Sequence, residues 1–464
     1  MTHEGTPVYA VTMDHDGDEP PAQQGGPGKG RVVAWALWDW ATQPFNSVIV
    51  TFVFTALYLT SEAFIDPAIA ALGEDDPQYD LALAHLASGV GLAGTVAGIL
   101  VALVAPVLGQ QADTAGKRKR WLAISTGILT IVTAALYFVQ AAPSYFVLGV
   151  GLIAVGLVAN ELAAAQYNAL ITQVTTPRNV GKVSGLGWGM GYIGGIVALV
   201  LVVVADSSDW WGLDTSNGMA YRLIAVGCAV WTVAFAWPVF TFVPEPEATG
   251  REPVSFFASY GRLWRDVVRL WRSDRSTVWF LIASAIYRDG LAGVFAYGAV
   301  IASVAFKFDA TEVMIFGIAA NLVAGIATMI SGAIDDWIGP RTLILWSLGG
   351  MIVAGAAVVA LHSHGKTIFW IAGLVLCLFV GPTQSASRSL LARVAPPDKE
   401  GEMFGLYATT GRAASWMAPM MWTIAIAATG ATIWGVAGIM SVVLVGFIAL
   451  LLVKIDVRPV DAEA

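Results

Sequence analysis

Long apolar stretches alternate with short polar ones along most of this chain. Twelve apolar stretches lie at about 32–59, 86–108, 121–141, 145–171, 183–205, 220–243, 276–304, 312–334, 341–361, 367–390, 403–427 and 432–453. Each holds enough residues to cross about 30 Å of hydrocarbon as a helix. They form two sets of six, separated by a more polar stretch at 244–275. Within that stretch Phe256, Phe257, Tyr260, Leu263, Trp264, Val267, Leu270 and Trp271 recur at helical spacing, with Arg262, Arg265, Arg269 and Arg272 on the other side. This pattern predicts an amphipathic helix lying in a membrane surface. Residues 1–30 are polar and rich in Gly, Pro and Asp, and are read as a disordered tail; 455–464 is read as a second tail. The predicted organisation is an all-α membrane protein, with a six-helix bundle at 31–243, a linker helix at 244–275 and a second six-helix bundle at 276–454.

Composition agrees. The chain is 57% hydrophobic and only 12% charged, about half the charge of an ordinary soluble domain, so lipid must be the solvent for much of it. The basic residues set the orientation. With the N-terminus inside, the inner side carries Lys29, Arg31, the run from Lys117 to Arg120, Arg178, Lys182, six arginines between 251 and 275, Arg341, Arg393, Lys399, Lys454 and Arg458. The outer side keeps Arg222, Lys307 and Lys366, and the outer loop 60–85 has six acids and no Lys or Arg. This asymmetry places both termini in the cytoplasm. The two cysteines, Cys228 and Cys377, lie inside apolar spans and read as small buried hydrophobes, with no disulfide framework and no metal site.

Two short polar loops share one spacing. Gly109, Asp113, Gly116 and Arg118 recur as Gly332, Asp336, Gly339 and Arg341 at a constant shift of 223. A second set, Leu170, Val174, Pro177, Gly181, Gly185 and Gly191, recurs as Leu390, Val394, Pro397, Gly401, Gly405 and Gly411 at a shift of 220. Related loops at equivalent places in two bundles are the pattern of a duplicated transporter architecture.

The loop at 109–120 resembles the signature between helices 2 and 3 of the major facilitator superfamily, and 332–341 its echo between helices 8 and 9. The opening "WALWDWATQPFNSVIVTFVF" further resembles the bacterial relatives of the autophagy-related vacuolar amino-acid effluxer, although that branch has Tyr at the position of Trp38 and Asn-Ser near Thr42–Gln43. The superfamily resemblance implies twelve helices in two pseudo-symmetric bundles working by alternating access. It also implies a conformational latch in which Asp113 meets the facing half, with Gly109, Gly116 and Arg118 (or Lys119) in support, and a second latch of Asp336, Gly339 and Arg341. An acid at the start of a helix is favoured by the helix dipole. The narrower resemblance implies export of amino acids or similar small solutes.

Charges inside spans are costly and should face the interior or a cavity. They are Asp39, Glu161, Arg288, Asp289, Arg388 and Arg412. Three acids match three bases; Asp39–Arg412 with Glu161–Arg388 is one of several possible pairings. Asp39, Gln43 and Asn46 share one face of span 1, where Pro44 predicts a kink or local opening. Span 4 offers Asn160, Glu161, Tyr167 and Asn168; span 7, Tyr287, Arg288 and Asp289; span 10, Gln384 and Arg388; span 11, Arg412. An acid among Asp39, Glu161 and Asp289 is the expected proton carrier, since no histidine lies in a span. Arg288, Arg388 or Arg412 would hold a substrate carboxylate by its planar fork. Gly187, Gly191 and Gly195 predict close helix packing.

The expected activity is therefore proton-coupled export by a secondary transporter, acting as a monomer in a bacterial inner membrane. Its partners are lipid, a small-molecule substrate such as an amino acid, and the proton. A cation-coupled sugar or lipid-like solute carrier, with Trp35, Trp38, Trp40 and Trp188 as stacking platforms, is the rival transport reading. A non-transporting receptor on the same fold is the rival from another class. No phosphate-binding loop, metal cluster, cofactor motif, catalytic triad or nucleic-acid partner is indicated, so an enzyme is not expected.

Overall fold

The computed structural model describes residues 28–73, 76–212, 216–247, 255–308, 310–396, 399–453 and 455. The expected tails lie almost wholly outside these residues. Among the described residues, eleven helical runs are long and apolar enough to cross a membrane. In the first half they are α1 Lys29–Leu59, α2 Pro77–Ala115, α3 Arg118–Phe138, α4 Pro143–Gln173, α5 Val180–Ser207 and α6 Met219–Phe242. In the second they are α7 Arg275–Ala305, α8 Ile315–Ile338, α9 Pro340–Ala360, α10 Lys366–Val394 and α12 Trp434–Leu452. The twelfth expected span, 403–427, is α11, broken into Glu400–Ala414 and Met417–Thr429. Pro419 explains the break, because its ring excludes the carbonyl four residues earlier, at Ser415, and fits only in the first turn of the helix that follows.

Three local features go beyond the apolar pattern. The turns of α1 widen to π geometry from Phe45 onward, directly after Pro44, whose missing N–H breaks the regular ladder. Helix α2 starts nine residues earlier than the apolar stretch at 86, at Pro77. Asp76 accepts from the Gln78 N–H at 2.8 Å and Pro77 occupies the first turn, a favourable start that polar residues after it concealed. Between the bundles a connecting helix spans Phe256–Ser273, its N-cap Ser255 accepting from the Ala258 N–H.

The helices bury aromatic and aliphatic cores within each half. Tyr287, Leu291, Leu348, Met351, Val380 and Val443 centre the second; Trp35, Trp38, Tyr167 and Val239 pack one end of the first. Val147, Ile131, Val353 and Leu452 project outward, as a lipid-facing surface requires. Both cysteines are free and buried.

The halves meet where α2 packs on α11 and α5 on α8. Glycine makes both crossings close. A Cβ on Gly109 would collide with the Gly401 carbonyl, and one on Gly332 would lie 2.6 Å from the Gly181 carbonyl. These two contacts are the same contact under the sequence repeat, so the repeated glycines are the places where backbones of opposite halves touch. The glycines of α5 serve α1 likewise: a Cβ on Gly194 would stand 3.0 Å from the Trp40 carbonyl, and one on Gly195 2.6 Å from Ser47 Oγ.

Candidate functional site

The repeated loops lie on one face of the bundle and close it twice. Gly116 turns the chain between α2 and α3 in the left-handed region, φ +57°. The Asp113 carboxylate accepts from the N–H groups of Gly401 at 3.1 Å and Glu402 at 2.9 Å, donors in the first turn of α11 that have no partner within the helix. In the other loop Asp336 accepts from Gly181 at 2.8 Å and Lys182 at 2.9 Å, at the start of α5. Each acid therefore caps a helix of the opposite half, where unpaired N–H groups and the helix dipole both favour a carboxylate.

The supporting cations differ between the two. Arg118, 2% exposed, bonds Asp113 at 2.7 Å and Glu400 at 2.6 Å. Its repeat counterpart Arg341 is not brought to Asp336. Its guanidinium instead donates to the Leu450, Leu451 and Val453 carbonyls at the end of α12, a place the negative helix end makes favourable. Arg393 takes the vacant role, 2.7 Å from Asp336 and 3.1 Å from Asp335. Sequence reasoning missed Arg393, Asp335 and Glu400 because none belongs to the repeat. Gly339 adopts φ +86° before Pro340 opens α9.

One layer deeper, a second set of groups joins the halves. Arg388 of α10 donates to Asp39 at 3.2 Å, to Asn168 at 3.1 Å, and to Ser184 Oγ and O at 2.9 and 2.5 Å. Tyr167 donates to Asp39 at 2.9 Å. The guanidinium also lies over the Trp35, Tyr167 and Trp188 rings. Arg388 is buried with its donors engaged, so here it is a tie between halves rather than an open anion site. Trp35 and Trp38 stack on Tyr167 with centroids 4.5 and 4.4 Å away and are almost wholly buried. They are packed core rather than open platforms for a sugar, and the half-buried Trp40 stacks on Trp231. Ser184 was missed for lack of any charge or repeat to mark it.

Near mid-depth the arrangement is looser. Glu161 of α4 pairs with Arg412 of α11, and both side chains are 33% exposed. The pairing is thus Asp39–Arg388 and Glu161–Arg412, the reverse of the combination named from sequence. The third acid and base do not pair with each other. Asp289 accepts from the Ala418 N–H at 2.6 Å, capping the second half of broken α11. Arg288 donates to the Tyr407 carbonyl at 3.1 Å and lies 3.7 Å from that ring's centroid. Asn160 donates to Asn46 at 3.3 Å and Gln43 to Ser47 at 3.2 Å. Tyr287 shares a hydrogen bond with Ser387. Gln384, one turn from Arg388, makes no hydrogen bond among the described residues. Among those residues, no group of acids, histidines and cysteines could hold a metal ion.

The sequence profile of the family described as "Vacuole effluxer Atg22 like" matches residues 172–463. The chain belongs to this family. It is 24% identical over 423 residues to the uncharacterized MFS-type transporter YxiO of Bacillus subtilis, covering 90% of this chain and 93% of that one. It is 25% identical over 259 residues to autophagy-related protein 22-1 of Neosartorya fischeri, a match covering 51% of this chain and 42% of the fungal protein. Among solved structures it resembles the proton:xylose symporter XylE bound to 6-bromo-6-deoxy-D-glucose, with TM-score 0.67, 13% identity, and coverage of 90% of this chain and 93% of that one. It also resembles the human organic anion transporter MFSD10, with TM-score 0.67, 14% identity, and coverage of 91% and 98%. At such identities the structural likeness shows the fold alone, that of the major facilitator superfamily. This member of the Atg22-like family is a multi-pass membrane protein and a secondary transporter.

Proposed function

We propose that this protein exports amino acids or similar small zwitterions in exchange for protons across a bacterial inner membrane, as a monomer with both termini in the cytoplasm. In that orientation the two Asp-capped loops lie on the inner face, and the closed arrangement is the outward-facing state. The observation that carries the reading is the Glu161–Arg412 pair. It bridges the two halves near mid-depth and both its side chains are one-third exposed, whereas in Asp39–Arg388 beneath it the guanidinium is buried and its donors are engaged.

A partly exposed ion pair matches a zwitterion group for group. Arg412 can leave Glu161 for the substrate carboxylate, which its planar fork receives in two parallel bonds. The freed Glu161 then takes either the substrate ammonium or a proton, and these two occupants exclude each other, which is the requirement for exchange. Asp289 is a second proton candidate, because a proton on it would replace the charged acceptor that caps Met417–Thr429 by a weaker neutral one. The latch and the Asp39–Arg388 layer act as inner gates, to be broken before the cavity opens inward. Outward direction is supported by the family's description as effluxers.

The reading is tested in proteoliposomes of purified protein. An imposed pH gradient should drive amino-acid flux in the wild type. In Glu161→Gln that drive should be lost while exchange at equal pH persists. A drive left unchanged in Glu161→Gln, Asp39→Asn and Asp289→Asn alike would remove carboxylates of this site from coupling.

A further inference from the structure

A cavity of about 350 Å³ lies away from the central site, between the end of α2, the first turns of α3 and the connecting helix. One wall is a single face of α3: Lys117, Arg120, Trp121 and Ile124 fall at helical spacings of three and four and all line the cavity. The opposite wall is Gln110 of α2 and Ser259 of the connecting helix.

The basic run from Lys117 to Arg120 divides its labour. Arg118 is consumed by Asp113 and Glu400, and Lys119 donates to the Val243 carbonyl at 2.7 Å. Lys117 and Arg120 are exposed, and among the described residues neither forms an ion pair. Beneath them on the same face sit Trp121 and the exposed Ile124, a change from cationic rim to apolar wall over about two turns. On the other side Gln110 is 3% exposed. Its amide nitrogen donates to Asp266 at 3.4 Å, and its buried carbonyl oxygen has no donor.

Two of these features specify the ligand: a phosphate for two unpaired cations, and an apolar chain to run past Trp121 and Ile124. We infer that the cavity binds a single anionic glycerophospholipid, of the phosphatidylglycerol type. Basic and aromatic side chains at the ends of membrane spans are where anionic headgroups are recognised. Gln110, which lines the site, donates to Asp266, and Asp266 also pairs with Lys399 at 3.2 Å, at the entry to α11. A lipid joining α2, α3 and the connecting helix would therefore favour the closed inner face. The inference does not depend on the amino-acid reading.

The test is native mass spectrometry of the purified full chain titrated with dioleoylphosphatidylglycerol. One molecule should bind ahead of all others. Lys117→Gln/Arg120→Gln should weaken that first event by about tenfold or more, while Arg265→Gln/Arg272→Gln on the connecting helix should affect only later ones. Both substitutions are at exposed positions, and either single variant gives the same reading at smaller amplitude. The inference is overturned if the first lipid binds Lys117→Gln/Arg120→Gln as tightly as wild type. It is equally overturned if dioleoylphosphatidylcholine binds as well, or if glycerol 3-phosphate displaces the lipid at matched concentration, which would mark a soluble-phosphate site.

Discussion

Replacing Asp113 by Asn removes one charge and leaves the shape of the side chain. In the closed state Asp113 is 6% exposed and accepts two N–H groups of the opposite half while bonding Arg118. Asn has one acceptor oxygen, so one N–H keeps a neutral bond and the other faces an amide donor. A bond to a charged group contributes about 1.5–3 kcal/mol and an unsatisfied buried donor costs about 1–3 kcal/mol. Arg118 keeps Glu400, which limits the loss on that side. The closed state should therefore lose about 2–4 kcal/mol, and at about 1.4 kcal/mol per tenfold the closed-to-open ratio should fall about 30- to 700-fold. Spin labels at Arg178 and Trp337, exposed positions in opposite halves on this face, report the ratio by pulsed electron resonance in a background with Cys228 and Cys377 replaced by Ala. Wild type should show mainly the short distance and Asp113→Asn mainly a longer one, with transport turnover reduced. Identical distance distributions in the two proteins would refute the assignment of Asp113 as a latch.

Two further predictions rest on the same contacts. Gly401→Ala would drive a methyl into the Asp113 carboxylate and should open the inner face as Asp113→Asn does; Gly127→Ala, with open space around it, should be neutral or stabilising by about 0.5–1 kcal/mol in thermal unfolding. Arg388→Met leaves the Asp39 carboxylate without its cation and should cost about 3–5 kcal/mol, seen as a lower unfolding temperature, whereas Asp39→Leu/Arg388→Met should recover much of that loss.

Much of the architecture is legible in the sequence because hydrocarbon imposes length and polarity on every span. The repeated loops are legible for a second reason: both acids do the same thing, each capping a helix that begins with a repeated glycine. What the spacing could not reveal is depth. Asp39 meets Arg388, and Glu161 meets Arg412, because those residues lie at matching heights in neighbouring helices, a property of tertiary packing. Arg341 follows the repeat in sequence and departs from it in partner, since the end of α12 offers carbonyls within its reach. The break in α11 had a local signal in Pro419, masked by the apolar residues around it. The second layer of ties, through Ser184 and Asn168, rests on small neutral groups that carry no mark in a single sequence.

The central claim is transport of a zwitterion through the Glu161–Arg412 region. Its most direct test is counterflow of a radiolabelled neutral amino-acid mixture into proteoliposomes loaded with the unlabelled mixture. The account predicts transient accumulation of label above equilibrium, abolished in Arg412→Gln. No accumulation in a preparation shown to be folded, or full accumulation in Arg412→Gln, would contradict it.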